Sequence, residues 1–471
     1  MLNFLLGLLA TVGATAFFAS VVRHKIATGR WSFRGVLWTL VGIGLIVRSA
    51  AQPRSTLLVE HGSEDVQTYF FLPIFETQWE LIGAICTALP LLWIATGMAM
   101  WRRSLFLHSL EFTRSRRWLS LLIGTVVLTG FVAVHPDLSH RILLTFVVMW
   151  CLTDDYTSEQ LGLLIHGSLL WIASFCCLSL IVGMFSLPGA WAGNGTTSSL
   201  TSDRLQGLAT HPNSLGFITA IGVTLALLPS KKTVLTRILL SLPILVTMAL
   251  TLSKTSILSA ILAGLLIKRI SSVWLITGGV MAFLLINDTV VDQIFALLGT
   301  DVTTASKLTG RSDFWSTILA QWQEWWIFGY GVGFLGIEHR TALNLPDWAG
   351  QAHNQFLQSF GQSGIFGIAS TLLFLMVVGM RAMRLHFLRI SSAAFALFII
   401  IFLRCFAETP LRINSLDNYA AGIALLLAAC SVALPRKKIG RTSIRTNHLP
   451  QSPLNSASPK VNQLSTPPKP Q

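Results

Sequence analysis

Residues 287–364 read NDTVVDQIFALLGTDVTTASKLTGRSDFWSTILAQWQEWWIFGYGVGFLGIEHRTALNLPDWAGQAHNQFLQSFGQSG. This stretch is the one long polar interruption in a chain otherwise made of apolar runs. It carries Lys307, Thr309-Gly310-Arg311, the tryptophans Trp322, Trp325 and Trp326, the glycines Gly329, Gly331 and Gly333, and Ala352-His353-Asn354 near its end. An apolar run follows at once from Ile365. A chain that keeps one large loop, with cations and a His-Asn pair in it, is expected to work there. The remaining segments then form the frame that holds the loop at a membrane surface.

Composition supports that frame. Only 11% of residues are charged and 52% are hydrophobic, against about 25% charged in soluble domains. So much apolar surface has no place to hide in a soluble core. The fold class expected is an all-α polytopic membrane protein with about 12–13 transmembrane helices, in the manner of membrane glycosyltransferases. Apolar runs extend from Leu2–Val22, read as a retained helix because Arg23, His24 and Lys25 follow it, to Tyr419–Leu434. Between them lie, among others, Leu161–Leu187, Leu215–Pro229, Ser256–Ile267, Val273–Ile286, Ile365–Met380 and Ala393–Ala407.

Charge distribution orients the spans. Arg102–Arg117, Ser230–Arg237, Lys268-Arg269, Arg381–Arg389 and Arg436-Lys437-Lys438 are basic and fall on one side of the alternation, as cytoplasmic links do. The N-terminus is therefore expected outside and the C-terminus inside. The external face receives Pro188–Asn213, Ser253-Lys254, the loop 287–364 and Glu408–Asn418. The expected organisation is a membrane domain over 1–434, the external catalytic loop 287–364 within it, and a disordered basic tail, rich in Pro and Ser, over 435–471. The net charge of +14 reads as this cytoplasmic bias, not as a nucleic-acid surface. The six cysteines sit in apolar runs without metal spacing, and are read as small hydrophobes with neither disulfides nor a metal site.

A few polar residues are candidates for chemistry. Lys254 lies between two apolar runs, where a lysine either has a partner or a wet cavity or snorkels from a span end. Arg311 can clamp a phosphate through its guanidinium fork, or pair with Asp313 beside a helix capped by Ser312 or Asp313. His353 is a lone histidine, a residue type whose imidazole ordinarily suits a general base, and Asn354 adjoins it. Arg204, His211 and Asn213 form a second external cluster. They either bind a headgroup or, the reading favoured here, start a helix. Gly331, within the glycine cluster, lets the backbone turn and approach another group closely. Trp322, Trp325 and Trp326 read first as an interfacial belt.

The set Arg204, Gly207, His211-Pro212-Asn213, Gly216, then Leu252-Ser253-Lys254-Thr255, Gly310-Arg311, Trp315, Gly329-Tyr330-Gly331, Gly333, Ala352-His353-Asn354, Gly364 and Gly367 resembles the O-antigen ligase and polysaccharide polymerase family. The resemblance covers roughly residues 160–367. It implies a glycosyltransferase of the bacterial inner membrane that takes glycan from an undecaprenyl-diphosphate carrier on the periplasmic side. His353, Arg311 and Lys254 would be catalytic. Asn354, Arg204, His211, Asn213 and Gly331 would bind substrate. No cofactor or metal is expected. The partners implied are the lipid-linked oligosaccharide, a sugar acceptor and the bilayer, together with a chain-length regulator and a flippase. Ligases of the family carry arginine where this chain has Lys254, and Ser-Lys-Thr is closer to exopolysaccharide polymerases. Polymerisation of repeat units is therefore the leading expectation, with ligation to lipid A core or protein second. A transporter or flippase would instead spread charge through several spans and lack a dominant loop.

Overall fold

The computed structural model describes residues 33–52, 54–60, 63–69, 73–100, 113–136, 140–153, 156–187, 190–192, 204–209, 211–228, 234–267, 311–343, 345, 350–412 and 416–432. The expected spans Leu2–Val22 and Val273–Ile286, and the first part of the long loop, lie outside the described residues. The chain divides into Met1–Ala433 and Leu434–Gln471, and the second unit also lies outside them.

The described chain is mostly helical. Helix α1 spans Phe33–Ala51, α2 Pro73–Met100, α3 Arg114–Gly130, α4 His140–Leu152, α5 Ser158–Met184, α6 Pro212–Leu227 and α7 Val234–Thr251. Then come α8 over Lys254–Ile267, α9 over Arg311–Ala320, the short α10 over Ile337–Ala342, α11 over Gln355–Phe387, α12 over Ala393–Arg404 and α13 over Asn418–Ser431. Two helices, α5 and α11, are long and apolar enough to cross a membrane; others, such as α8 and α13, are shorter apolar helices. The all-helical expectation needs one correction. An antiparallel hairpin joins β1 (Arg54–Glu60) to β2 (Ser63–Tyr69), and β3 (Trp191–Ala192) pairs with β4 (Arg204–Leu205). Thr56-Leu57-Leu58-Val59 is a short strand-favouring run within the link Gln52–Gln78, which reads from sequence as acidic, with Glu60, Glu64, Asp65 and Glu76.

Burial shows which faces meet protein. On α7, Leu235, Ile238, Leu239, Leu242, Leu245 and Val246 are all exposed, and their spacing makes one stripe of the helix. On α11, Phe366, Leu373, Met376, Met380, Met383 and Phe387 do the same. Such continuous apolar stripes are larger than water tolerates and are what lipid-facing helices present. Helix α13, by contrast, is buried along its whole length. It passes between α6, α11 and α12 and forms the centre of the packing.

The tryptophan run splits. Trp322 and Trp326 are exposed, in keeping with a belt, whereas Trp325 packs into a cluster with Ile318, Phe334, Leu335 and Ala352. Helix α9 starts at Arg311 itself, one residue ahead of the expected caps. Its Trp315 donates from Nε1 to the Ala352 carbonyl at 2.8 Å. That bond ties the helix to the residue before His353.

Helix α11 begins ten residues earlier than the apolar run at Ile365 implied. Asn354 caps it, its Oδ1 accepting from the Phe356 and Leu357 amides. The first turns are polar yet buried: Gln355, Gln358, Ser359, Gln362 and Ser363 all lie inside. The helix kinks at Ser363–Gly364, where Thr129 at the end of α3 donates to the Ser363 hydroxyl at 2.8 Å.

Candidate active site

Four helix N-termini, those of α6, α8, α11 and α13, gather at one end of the bundle. Hydrogen bonds tie them together there. Arg404, at the last residue of α12 and with no exposed surface, donates from Nη1 to the Ser256 hydroxyl (2.6 Å) and from Nη2 to the Asn213 carbonyl (2.8 Å). The Gln355 amide donates to the Cys405 carbonyl at 2.8 Å. The side-chain oxygen of Gln355 accepts from the Leu411 amide at 2.8 Å. Gly216 is needed where α6 meets α8, because a Cβ there would lie 2.7 Å from the Ser253 Cβ and 2.5 Å from the Ser256 hydroxyl. Each N-terminus brings the positive end of a helix dipole, so their convergence favours an anion.

The polar side chains at this end form one chain of contacts. Arg204 donates from Nη2 to Asn213 Oδ1 (2.7 Å) and from Nε to the Thr251 carbonyl (2.9 Å). Asn213 donates from Nδ2 to Glu408 Oε1. The other carboxylate oxygen of Glu408 faces His353 Nδ1 at 3.2 Å and accepts from Gln351 Nε2 at 3.1 Å. Thr409 in turn donates to Gln351 Oε1 at 2.7 Å. His211 caps α6, its Nδ1 accepting from the Asn213 amide at 3.1 Å.

Electrostatics sort the protons in this cluster. Burial alone would raise the Glu408 carboxyl. The hydrogen bond and charge of His353, with the charges of Arg404 and His211, outweigh that and hold it at about 2. Glu408 is therefore a carboxylate at neutral pH and only accepts. It follows that Nδ1 of His353 is the donor in its contact with Glu408. The His211 ring opens to a cavity but is walled by protein on its other sides. Burial pushes it down to about 4, more than Glu408 can raise it, and Arg204, His353 and Arg404 push the same way. His211 is thus a neutral cap at pH 7.

Two non-glycine residues here have left-handed backbones, Leu252 with φ +48 and His353 with φ +49. Such a conformation costs about 1–2 kcal/mol for an L-residue, and strain of this kind collects at functional sites. At Leu252 it turns the chain sharply from α7 into Ser253 and Lys254. At His353 it sets the ring against Glu408 ahead of the Asn354 cap.

The structure brings Arg204, Asn213, His211 and His353 into one network, and places Asn354 at its edge as a cap. Lys254 opens α8, exposed, beside Ser253 and two residues from the Arg404-bound Ser256. Arg311 opens α9, the helix tied to Ala352; its side chain lies outside the described residues. Gly331 stands apart. With φ +123, it packs its backbone against the His135 carbonyl, where any Cβ would clash. Sequence reasoning did not single out Glu408, Arg404 or Gln351. Arg404 had a signal, an ionisable residue inside the apolar run Ala393–Ala407. Glu408 looked like an ordinary loop carboxylate.

Residues 238–372 match the family model described as O-Antigen ligase. The resemblance read from the motifs is thereby shown for the segment from α7 to the middle of α11. That segment holds Lys254, Arg311, Gly331, His353 and Asn354. Arg204, His211, Asn213, Arg404 and Glu408 lie outside it and reach the site through packing. No curated protein matches the chain. The O-antigen ligase family is membrane-embedded and of glycosyltransferase type, which agrees with the apolar stripes and with the two long apolar helices.

Proposed function

We propose that the chain is an enzyme of the outer leaflet of a bacterial inner membrane. It transfers glycan from an undecaprenyl-diphosphate-linked donor to a sugar hydroxyl and so polymerises the repeat units of an exopolysaccharide or O-antigen. The observation that carries this reading is the His353–Glu408 pair: a carboxylate fixed at Nδ1 leaves Nε2 to take a proton, beside an anion-favouring convergence of helix N-termini. The acceptor hydroxyl oxygen attacks the anomeric carbon. The bond from that carbon to the diphosphate oxygen breaks, and its electron pair leaves with the lipid diphosphate. The hydroxyl proton passes to His353 Nε2 and from there to water. Lys254 and Arg311 balance the charge that grows on the leaving diphosphate, with the N-termini of α6 and α8 beside Lys254.

One direct displacement inverts the anomeric configuration. These cations do for the diphosphate what a metal does in other enzymes, so the reaction proceeds without one. The basic residues Arg116, Arg381 and Arg384 belong to the opposite helix ends, which supports a cytoplasmic position for that face and a periplasmic one for the site. Ser253-Lys254-Thr255 favours polymerase over ligase.

The test is purified full-length chain in lipid nanodiscs with lipid-linked oligosaccharide as the sole substrate. Long glycan from that donor alone is the expected result. Glycan transfer only after lipid A core is added would assign a ligase. A donor left intact under both conditions would overturn the enzymatic reading.

A further inference from the structure

A cavity of about 210 Å³ opens beside the cluster, between the end of α1, the start of α6 and the start of α13. Its polar lining includes Arg48, Ser49, His211, Gln351, Asp417 and Asn418. We propose that this cavity is the acceptor subsite and holds a neutral, hydroxyl-bearing sugar unit of the accepting glycan; the inference rests on the glycosyltransferase reading above.

Three observations carry it. First, the cavity and the His353 cluster share walls. Gln351 Nε2 lies 3.1 Å from Glu408 Oε2 and 3.5 Å from His353 Nδ1, and His211 caps the helix whose Asn213 binds Glu408. A sugar seated here lies next to the imidazole. Second, the charge is wrong for a diphosphate. Arg48 is the cation of the lining, it donates to the Leu416 carbonyl at 2.8 Å, and Asp417 stands against it. Apart from the His211 imidazole, the remaining polar lining offers amides and hydroxyls, the groups that pair with sugar hydroxyls, among apolar Leu45, Ala209 and Leu416. Third, Asn418 is only 5% exposed, yet its Oδ1 meets no donor among the described residues, and its Nδ2 lies 3.5 Å from the Ser214 hydroxyl. A buried acceptor left this way calls for a partner, and a ligand hydroxyl supplies one.

The experiment uses the full chain in nanodiscs. The probe is the free oligosaccharide released by mild acid from the lipid-linked donor. Binding is read by saturation-transfer NMR and calorimetry. The wild type should bind it, Ser49→Trp should weaken binding at least about tenfold by filling the cavity, and Asn418→Ala about threefold to tenfold. Donor affinity should stay within about twofold in both variants, since neither substitution removes a charge. Retention of wild-type binding by both variants, or no binding by the wild type, would overturn the subsite. A chain that binds the oligosaccharide here but never consumes donor would sink the glycosyltransferase reading and leave the binding site standing.

Discussion

The two ends of the helix bundle use arginine in opposite ways. At one end Arg116 donates from Nε to the carbonyls of Trp150 (3.2 Å) and Thr153 (3.1 Å). Arg381 donates from Nε to the Cys430 carbonyl (3.0 Å) and from Nη2 to the Val432 carbonyl (2.6 Å). Both finish helix C-termini, where orphan carbonyls welcome a cation. At the other end Arg404 and Arg204 reach helix N-termini, at Ser256 and the two functional groups of Asn213, and through them a carboxylate and an imidazole, while Arg204 also closes the end of α7 at the Thr251 carbonyl. The first pair closes structure. The second orders groups that change protonation. A buried arginine is therefore not itself a mark of function; what it bonds to decides.

Substitutions at the two ends sharpen this contrast. The largest effect belongs to His353→Asn. Asparagine tolerates the left-handed backbone at this position, so the fold stays and only the base goes. Transfer should fall by about 10²–10⁴-fold with an unchanged melting temperature, measured as release of lipid diphosphate. Glu408→Gln comes next. It keeps an acceptor for Nδ1 but loses the charge, worth about 1.5–3 kcal/mol for a hydrogen bond to a charged group. Turnover should drop about tenfold to a hundredfold. Arg404→Lys and Arg381→Lys then separate the ends. A lysine cannot hold both the Ser256 hydroxyl and the Asn213 carbonyl, so Arg404→Lys should cost roughly tenfold in rate. Arg381→Lys should lower the melting temperature by a few degrees and leave the rate unchanged. Equal rates in the two lysine variants would erase the distinction drawn here.

The smallest effect is on stability in acid. Glu408 sits at about 2 in the folded chain against 4.5 for an ordinary glutamate. A depressed carboxyl stabilises fully above its unfolded value and loses that contribution as pH falls through its folded value. Melting of the wild type should therefore weaken between about pH 4.5 and pH 2, and a melting curve of Glu408→Gln should show less of that decline. Parallel curves would mean that the carboxylate is not held by His353 and Arg404.

Much of the frame was legible from runs of apolar residues, because bilayer-facing helices advertise themselves by composition. Their ends were less so. The first turns of α11 bury Gln355, Gln358 and Gln362, so polar residues that signalled loop are packed inside a helix. The hairpin at 54–69 was lost in the same way, as a charged link. Within the site, His353, Asn213 and Arg204 were visible as residue types suited to chemistry near motif glycines. Glu408 was not. It lies 55 positions from His353, and such a pairing follows from helix packing that no local spacing encodes.

The most direct test compares glycan transfer by the wild type, His353→Asn, Glu408→Gln and the double variant in the same nanodiscs. If Glu408 acts through the imidazole it faces at 3.2 Å, then Glu408→Gln should cost little further rate once His353 is already Asn. A double variant that loses the full product of the two single effects would contradict a base made by the His353–Glu408 pair.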